Sequence, residues 1–381
     1  MRLKADSNDT FFHPFEMAFS GSSKSGKTKL ISNIISRLCN QYDIGYLKHN
    51  TPNFTMDHEG KSTWDMQKSG AKNIFINDPT HSASLNFQEV DQVEIRRHFI
   101  DSDFLLIEES KDSVIPKILV ISNENSKDTL QAIQESKVSN ILAIVSESSS
   151  DPLNGLLPHF HIDNLAAIEN FILNHFKELF PKTLNGLVLT GGQSTRMEID
   201  KGGLTYHKED QITHTKKLLT PLCKQVFISC KESQKDLPFL KNHNLLFDTF
   251  PGTGPSTGIM TAQNAHKDSA WLVVGCDLPY LDQETLKNLI EERNPFKVAT
   301  CYLNPIKNWP EPICTIYEPK SYTKLMQYYS FNKPCPRKVL FNSNIKKLML
   351  KNEMALENVN TPEEKEKAIN YLSSHGDNHA N

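Results

Sequence analysis

The amino-acid sequence predicts an α/β protein of two domains, each built on a mainly parallel sheet. The chain has 381 residues, which is too long for one ordinary hydrophobic core. Short apolar runs alternate with amphipathic stretches in both halves, as in sheets that carry helices on both faces. A glycine-rich loop also follows an apolar run in each half, at residues 21–28 and 190–197.

The first half is expected to begin with a strand at 15–20 that leads into the first glycine-rich loop. A helix is predicted at 27–40, because apolar residues recur there at helical spacing. Further strands are predicted at 44–47, 73–76, 83–87, 103–107, 117–121 and 140–145. Asp163 or Asn164 is expected to cap a closing helix that ends near Leu179.

The second half is predicted to start after the break at Phe180–Thr183, so the domains are expected at 1–182 and 183–372. Strands are predicted near 187–190, 225–229, 244–247, 271–275 and 297–301. Helices are predicted near 211–221, 257–266 and 282–292, which again gives an α/β sheet. Residues 373–381 are polar and are expected to form a disordered tail.

The composition excludes several classes of protein. Apolar residues make up 38% and charged residues 23%, as in soluble globular proteins, and a net charge of −3 gives no general attraction to nucleic acid or membrane. No apolar run approaches the roughly 20 residues that span a bilayer, and the first residues lack the layout of a signal peptide. The seven cysteines include no C-x-x-C pair, so we expect reduced thiols and a cytoplasmic protein.

The first glycine-rich loop, Gly21–Thr28, fits the phosphate-binding pattern G-x-x-x-x-G-K-S/T. Glycine lets the backbone curl so that its N–H groups face phosphate oxygens, and the following helix turns its positive end toward them. Lys27 would bind the β and γ phosphates, and the Thr28 hydroxyl suits Mg²⁺. The predicted nucleotide-binding residues are Gly21, Ser25, Gly26, Lys27 and Thr28. The alternative is a glycine and serine turn with a solvated lysine.

The stretch that starts with this loop resembles molybdopterin-guanine dinucleotide biosynthesis protein B, a GTP-binding adapter family. The matching segments beyond the loop are Gly45–His49, Asp57–Lys61, Ser69–Ala71, Leu105–Glu108 and Pro116–Ile118. The resemblance covers about residues 15–180 and implies a P-loop NTPase-like domain that binds GTP. Ser62, Asp65 and Glu109 depart from the family pattern, which leaves GTP hydrolysis open. Glu108 either orients a Mg²⁺-bound water or is a solvent-facing carboxylate at a strand end.

The second glycine-rich loop opens with Gly191 and Gly192, directly after the buried-type strand Leu187–Leu189. Ligands of open α/β sheets bind at this carboxyl end of the strands. Arg196 and Lys201 lie five residues apart, and both could reach a triphosphate held by the loop amides. A paired arginine and lysine would neutralise departing pyrophosphate. The alternative is a glycine turn flanked by solvated cations.

A second chemical feature is Asp277, which follows the apolar strand Trp271–Gly275. Pro279 ends that strand. A carboxylate at this position suits Mg²⁺, which favours one or two carboxylates together with phosphate oxygens. The alternative is that Asp277 only forms a turn.

Five motifs in this half, in the right order, resemble molybdenum cofactor guanylyltransferases. They are Gly191–Lys201, Gly254–Ile259, Cys276–Pro279, Pro310–Ile313 and Asn358–Glu363. The resemblance implies a Rossmann-like nucleotidyltransferase sheet in which Leu189, Gly191 and Gly192 hold GTP. It also implies that Asp277 binds Mg²⁺ and that Asp248 helps to read guanine. Departures from the family at Thr190, Glu198, Cys230–Lys231 and Ser256–Thr257 leave nucleotide affinity and base choice open.

The implied reaction is attack of the terminal phosphate of molybdopterin on the α-phosphate of GTP, with release of pyrophosphate. A phosphate monoester is largely dianionic at pH 7, with a second pKa of about 6, so no general base is needed. Catalysis would consist of positioning and of charge neutralisation by Mg²⁺, Lys201 and Arg196. Whether the pterin already carries molybdenum is left open.

Three other functions compete with this one. A cytidylyltransferase of the same pathway favours Ala-Gly where this chain has Gly191 and Gly192, and sugar-1-phosphate nucleotidyltransferases tend to a different glycine loop. The third is a GTP-binding adapter or chaperone with a degenerate transferase half, to which Glu198 and Thr190 give support. Expected partners are GTP, molybdopterin, proteins that hand over molybdopterin and molybdoenzyme chaperones.

A local excess of positive charge lies between Pro319 and Asn352, with eight Lys or Arg residues and no Asp or Glu. This stretch is either a solvated basic face or a surface that attracts the pterin phosphate, with Arg337 and Lys338 as candidates.

Overall fold

The computed structural model describes residues 13–49, 54–108, 115–122, 139–190, 201–252 and 254–375, without the side chains of Lys201 and His375. The chain folds into two compact units, Met1–Leu179 and Phe180–Asn381. All seven cysteines lie in the described segments and are free thiols. None of the helices described there has the length and apolar character needed to cross a bilayer.

The first unit is built on a six-stranded parallel sheet with the strand order β2-β5-β1-β6-β7-β8. The strands of this unit are β1 Glu16–Ser20, β2 Ile44–Lys48, β3 Asn73–Asn77, β4 Ser82–Asn86, β5 Phe104–Glu108, β6 Lys117–Ile121, β7 Ile141–Ser146 and β8 His159–His161. Every residue of β1, β5 and β6 is buried, as expected for parallel strands covered on both faces. The predicted parallel sheet is therefore confirmed.

The helices of this unit are α1 Lys27–Leu38, α2 Ser62–Lys68, α3 Gln92–Arg97 and α4 Leu165–Glu178. Helix α1 buries Leu30, Ile31 and Ile34 on one side, which is the periodicity that predicted it. Helix α4 is capped by Asn164, whose Oδ1 accepts a hydrogen bond from the Ala167 N–H at 3.3 Å.

Strands β3 and β4 form a separate two-stranded antiparallel sheet outside the main sheet. Both strands were predicted near their observed positions, but counting them among the strands of the parallel sheet was wrong. The physical reason is the connection Asp78–His81, which is too short for the crossover that parallel pairing requires. The Asp78 carboxylate closes this turn by accepting the backbone N–H groups of Thr80 and His81.

The second unit is built on a seven-stranded sheet with the order β11-β10-β9-β12-β14-β13-β15. Its strands are β9 Leu184–Leu189, β10 Val226–Cys230, β11 Leu245–Phe247, β12 Ala270–Gly275, β13 Ala299–Leu303, β14 Pro310–Tyr317 and β15 Ile345–Met349. Only β14 runs antiparallel to its neighbours among these seven strands. The α/β class and the two sheets agree with the prediction, although β14 and β15 were not expected.

The helices of the second unit are α5 Gln211–Leu219, α6 Pro255–Ala265, α7 Gln283–Glu291, α8 Ser321–Ser330, α9 Pro336–Phe341 and α10 Pro362–His375. Apolar clusters lie on both faces of the sheet, with Val188 and Leu272 on one face and Leu187 and Val273 on the other. Helix α10 continues through His375, so the first three residues of the predicted polar tail are helical.

Candidate functional site

In the first unit, the loop between β1 and α1 carries the predicted phosphate-binding residues. Gly21, Lys24 and Gly26 have positive φ angles of 153°, 62° and 89°. A Cβ atom on Gly21 would lie 2.2 Å from the carbonyl oxygen of Val120, so the close approach to β6 requires glycine there. The sequence pattern therefore has a steric cause in this fold.

Lys27 begins α1, and its ammonium group lies inside the loop. Its Nζ donates to the carbonyl oxygens of Gly21 at 3.0 Å and Ser22 at 2.7 Å, and to Ser25 Oγ at 3.4 Å. The residue is only 4% exposed, so the alternative of a solvated lysine is wrong. The fold thus brings Gly21, Ser25 and Lys27 together.

Thr28 faces the carboxylate of Glu108, which ends the neighbouring strand β5. Thr28 Oγ1 donates to Glu108 Oε1 at 2.7 Å, and the Tyr46 hydroxyl donates to Oε2 at 2.6 Å. Lys48 Nζ lies 3.2 Å from Oε1. Glu108 is 3% exposed, so it is not the solvent-facing carboxylate that was one of two sequence-based interpretations.

Burial would raise the pKa of Glu108, but the hydrogen bonds from Tyr46 and Thr28, with the Lys48 ammonium, outweigh burial and lower this pKa below its ordinary value. The carboxylate is therefore ionised at neutral pH. A hydroxyl beside an ionised carboxylate is a set of hard oxygen donors that fits Mg²⁺. The part played by Tyr46 had no signal in the sequence beyond its place in a family segment.

In the second unit, the loop after β9 starts from Leu189 and Thr190. Residues 191–200, which include Gly191, Gly192 and Arg196, lie outside the described residues, and the backbone description resumes with a 3₁₀ turn at Lys201–Gly203. Thr190 is buried, and its hydroxyl donates to the carbonyl oxygen of Ser229 at 2.9 Å. The threonine that departs from the family pattern is thus accommodated between β9 and β10.

Asp277 follows β12, the strand that pairs with β9 in parallel, with Gly275 opposite Leu189. The Cys276 N–H donates to the Leu189 carbonyl at 3.1 Å, and Cys276 Sγ donates to the Thr190 carbonyl at 2.9 Å. A Cβ on Gly275 would lie 2.7 Å from Asp277 Oδ1. The carboxylate and the start of the glycine-rich loop therefore share one edge of the sheet.

The segment that carries this carboxylate, Cys276–Tyr280, is here called the Asp277 loop. Its carbonyl oxygens accept hydrogen bonds from two separate parts of the chain, the stretch 207–211 and Val359. The Val359 N–H, within the motif Asn358–Glu363, donates to the Asp277 carbonyl at 3.1 Å. Gln211 Nε2 donates to the Leu278 carbonyl at 3.3 Å, and His207 Nε2 donates to the Pro279 carbonyl at 2.8 Å.

Asp248 lies just after β11, two strands from β9 at the same carboxyl edge of the sheet. Ser229 Oγ donates to Asp248 Oδ1 at 2.8 Å, and Thr257 Oγ1 lies 3.4 Å from Oδ2. Burial raises the pKa of Asp248, against the opposing effect of these hydroxyls and of the Lys231 charge. Neither Ser229 nor Thr257 was predicted as a site residue. Ser229 lies outside the five motifs, and Thr257 was noted only as a departure from the family pattern within Gly254–Ile259.

The basic stretch Pro319–Asn352 does not form one solvated face. Lys320 and Lys324 are buried, and Lys346 Nζ lies 2.6 Å from a carboxylate oxygen of Glu292. Arg337 of α9 is partly exposed, and it lies 3.2 Å from the Glu311 carboxylate and 6.0 Å from the ring of Trp309. Only part of this positive charge is thus available to an anionic ligand.

A cavity of about 730 Å³ lies beside the Asp277 loop. Residues of two predicted motifs line it, namely Glu311, Asn358 and Val359, together with Tyr280 of the loop. Among the described residues, no group of three or more His, Cys, Asp or Glu side chains could hold a metal ion by itself. A metal at Asp277 would therefore depend on oxygens from a ligand.

Comparison with known families assigns each unit separately. Residues 17–147 match molybdopterin guanine dinucleotide synthesis protein B, and residues 186–343 match the MobA-like NTP transferase domain.

Among curated relatives, the chain is 34% identical over 181 residues to the molybdenum cofactor biosynthesis bifunctional protein of Synechocystis sp., a match that covers 48% of this chain and about half, 52%, of the relative. It is 27% identical to the molybdenum cofactor guanylyltransferase of Pseudomonas fluorescens, over 50% of this chain and 92% of that protein.

Among solved structures, molybdopterin-guanine dinucleotide biosynthesis protein A from Archaeoglobus fulgidus matches with a TM-score of 0.44 and 20% identity, over 50% of this chain and 99% of that one. The two family matches lie in order along the sequence and do not overlap. Residues 17–147 are thus similar to the molybdopterin guanine dinucleotide synthesis protein B family, and residues 186–343 are similar to the MobA-like NTP transferase domain.

Proposed function

We propose that this protein is a bifunctional molybdenum cofactor guanylyltransferase. Its second domain transfers GMP from GTP to the terminal phosphate of molybdopterin, with release of pyrophosphate, and its first domain is a fused GTP-binding adapter. The observation that carries the proposal is the pairing of β9 with β12, with Leu189 opposite Gly275. Because of this register, the glycine-rich loop and Asp277 start from one edge of the sheet, where a single triphosphate can contact both.

The phosphates of GTP are proposed to bind Leu189, Gly191 and Gly192, whose backbone N–H groups would face the triphosphate. Arg196 and Lys201 neutralise the charge of the departing pyrophosphate. The acceptor is a phosphate monoester that is largely dianionic at pH 7, so no residue has to remove a proton from it. The residues of this site therefore position and neutralise the reacting phosphates.

Asp248 is proposed to select guanine. The Watson–Crick edge of guanine presents two neighbouring N–H donors, which an ionised carboxylate accepts together. Cytosine presents one amino donor beside two acceptors, which a carboxylate would repel. This argument favours GTP over CTP and bears against the cytidylyltransferase alternative.

Mg²⁺ is proposed as the cofactor, and the residues present fit it. Asp277 supplies one carboxylate at the strand end, and Mg²⁺ usually takes one or two carboxylates and completes its shell with phosphate oxygens and water. When bound, the ion would neutralise charge on the triphosphate. In the first domain, Thr28 Oγ1 beside the ionised Glu108 is a second donor set of the same hard-oxygen kind.

The acceptor is proposed to approach from the side of the Asp277 loop that faces the 730 Å³ cavity, since Asn358 and Glu311 of two predicted motifs line that cavity. Arg337 and Lys338 are proposed to attract its phosphate.

The proposed domains extend over residues 1–182 and 183–372. Proteins that deliver molybdopterin or receive the finished cofactor in the cytoplasm are proposed partners of the adapter domain.

The test supplies the full chain with molybdopterin, Mg²⁺ and each nucleoside triphosphate in turn, and measures pyrophosphate release. Release with GTP alone is the expected result. Release with CTP would assign the chain to the cytidylyltransferases. No release with any nucleotide, together with retained GTP binding, would favour an adapter whose transferase half is degenerate.

A further inference from the structure

The segment that follows the Lys201 turn returns to the Asp277 loop and contacts it through two side chains. Residue 207 lies six positions after Lys201, and Gln211 is the first residue of α5. His207 Nε2 reaches the Pro279 carbonyl at 2.8 Å, and Gln211 Nε2 reaches the Leu278 carbonyl at 3.3 Å. The carbonyl groups of the two residues that follow Asp277 are therefore each held by a side-chain donor.

Gln211 is an unusual residue for its position. It is fully buried, and its Oε1 has no hydrogen-bond partner among the described residues. A buried acceptor without a partner destabilises a fold, so an apolar residue would pack here at lower cost. Among the described residues only the donor half of this amide is used, and that donor holds the Asp277 loop.

His207 is held as a neutral donor by its surroundings. Its ring stacks on His214, with centroids 3.6 Å apart and planes 9° from parallel. Burial lowers the pKa of His207, although the Pro279 carbonyl and the Glu209 charge act in the opposite direction. Burial also lowers the pKa of His214, to about 4. A neutral imidazole that donates from Nε2 is locked into one tautomer, so the ring supplies a fixed N–H to Pro279.

Helix α5, which begins at Gln211, packs tightly against the 3₁₀ turn Lys201–Gly203. A Cβ on Gly202 would lie 2.5 Å from Ile212 Cδ1, and Ile212 is the neighbour of Gln211. Helix α5 thus packs Ile212 against Gly202, the residue after Lys201, and bonds Gln211 to Leu278, the residue after Asp277. A displacement of α5 would change the separation between these two points of the site.

We propose that His207 and Gln211 are positioning residues, which fix the Asp277 carboxylate relative to the Lys201 turn so that one nucleotide can engage both. The inference rests on the proposed transfer reaction. Residues that orient a metal-binding carboxylate commonly change metal affinity or activity by roughly 10- to 100-fold when they are replaced. The role is indirect, because the two donors reach the backbone carbonyls of Leu278 and Pro279.

The experiment compares His207→Phe, which keeps a flat ring on His214 but removes the donor, with His207→Gln, which keeps an N–H donor. Gln211→Leu removes the second donor. His243→Phe is the matched control, because His243 is a half-buried histidine beside α5 that contacts Lys216 and not the Asp277 loop. All variants are made in a Lys27→Ala background, which is expected to remove GTP binding by the first domain and with it metal binding at Thr28 and Glu108. Mn²⁺ binding to the full chain with GTP and without acceptor is then measured by electron paramagnetic resonance, so that no turnover is involved.

We expect His207→Phe and Gln211→Leu each to weaken Mn²⁺ binding roughly 10-fold, with His207→Gln close to the wild type and His243→Phe unchanged. Pyrophosphate release should require correspondingly more Mg²⁺, while the KM for GTP at saturating Mg²⁺ stays constant. Circular dichroism checks that each variant folds. If His207→Phe does not fold, the double variant His207→Leu/His214→Leu replaces it, because it removes both stacked rings together.

Wild-type Mn²⁺ affinity in folded variants that lack either donor would overturn the inference. An inactive wild-type chain would instead overturn the transfer reaction itself, so the two failures are distinguishable. Equal loss in His207→Phe and His207→Gln would also contradict the proposal, because it would assign the effect to packing and not to the N–H donor.

Discussion

Gly275 leaves room for the Asp277 carboxylate because it has no side chain. A Cβ at this position would lie 2.7 Å from Asp277 Oδ1 and 3.0 Å from Ile313 Cδ1. Gly275→Ala should therefore displace the carboxylate, and misplacement of a reacting group by about 1 Å can cost on the order of 100-fold in rate. Pyrophosphate release from GTP measures the effect.

A second variant identifies which contact is responsible for that loss. Ile313→Val removes the Cδ1 atom, so the double variant Gly275→Ala/Ile313→Val keeps only the overlap with the carboxylate. The double variant should be as slow as Gly275→Ala. Recovery of the rate on adding Ile313→Val would show that crowding by the isoleucine, and not the carboxylate, was the cause.

Asp248 should make GTP recognition sensitive to acid. Its pKa is raised by burial, and only the ionised form accepts both guanine N–H groups, so GTP affinity should fall as the pH drops through this pKa. Ser229 donates to the ionised form, so Ser229→Ala should raise the pKa further and move the loss of affinity to higher pH. The KM for GTP is measured against pH, with Asp248→Asn as the variant that lacks this titration. A midpoint that moves to lower pH in Ser229→Ala would contradict the assignment.

At the scale of elements, Glu108 connects three elements, namely β5, which it ends, β2 through Tyr46, and α1 through Thr28. Glu108→Gln should weaken Mg²⁺-dependent GTP binding by the first domain roughly 10-fold or more. Tyr46→Phe removes one of several donors and should weaken it about 2- to 10-fold, the range of one hydrogen bond. Calorimetry in an Asp248→Asn background, which weakens the other site, measures this binding. Equal affinities with and without Mg²⁺ in the wild type would contradict a metal role for Glu108.

Helix α9 allows a test of the acceptor site. Arg337→Gln/Lys338→Gln should raise the KM for molybdopterin roughly 10-fold through loss of electrostatic attraction and leave the KM for GTP unchanged. Lys347→Gln is the matched control, since Lys347 is an exposed lysine of β15 in the same basic stretch. Equal effects on both substrates would defeat the idea that these residues serve the pterin.

The sequence predicted helices with a clear apolar period and strands with an unbroken apolar run. It did not predict β8, which is very short, or β14, which contains proline. Helices α1 and α5 and the buried strands β5 and β12 have runs of apolar residues that specify their class. Strand β14 begins with Pro310 and contains Pro312, which obscured a strand pattern. Strand β8 has only three residues, too few for any period.

The residues of the candidate site also fall into a group that the sequence predicted and a group that it did not. Lys27, Thr28 and Asp277 belong to motifs with fixed spacing, so their positions followed from the sequence. Tyr46, His207 and Gln211 act through distant backbone or carboxylate groups that no local pattern encodes. Pro279 and His207 are 72 residues apart, and only the sheet topology brings them into contact.

At the scale of the whole molecule, each unit has its own sheet and its own predicted nucleotide site, and no residue is common to both sites. Lys27→Ala should abolish GTP binding by the first domain, because the ammonium group that would face the phosphates is lost, and should leave pyrophosphate release unchanged. Asp277→Asn should reduce pyrophosphate release at least roughly 10-fold and leave the first domain able to bind GTP. Binding stoichiometry by calorimetry and pyrophosphate release on the same full-length variants separate the two effects. A slower transfer reaction in folded Lys27→Ala would mean that nucleotide binding in the first domain controls catalysis in the second, and the two halves could then no longer be treated as independent.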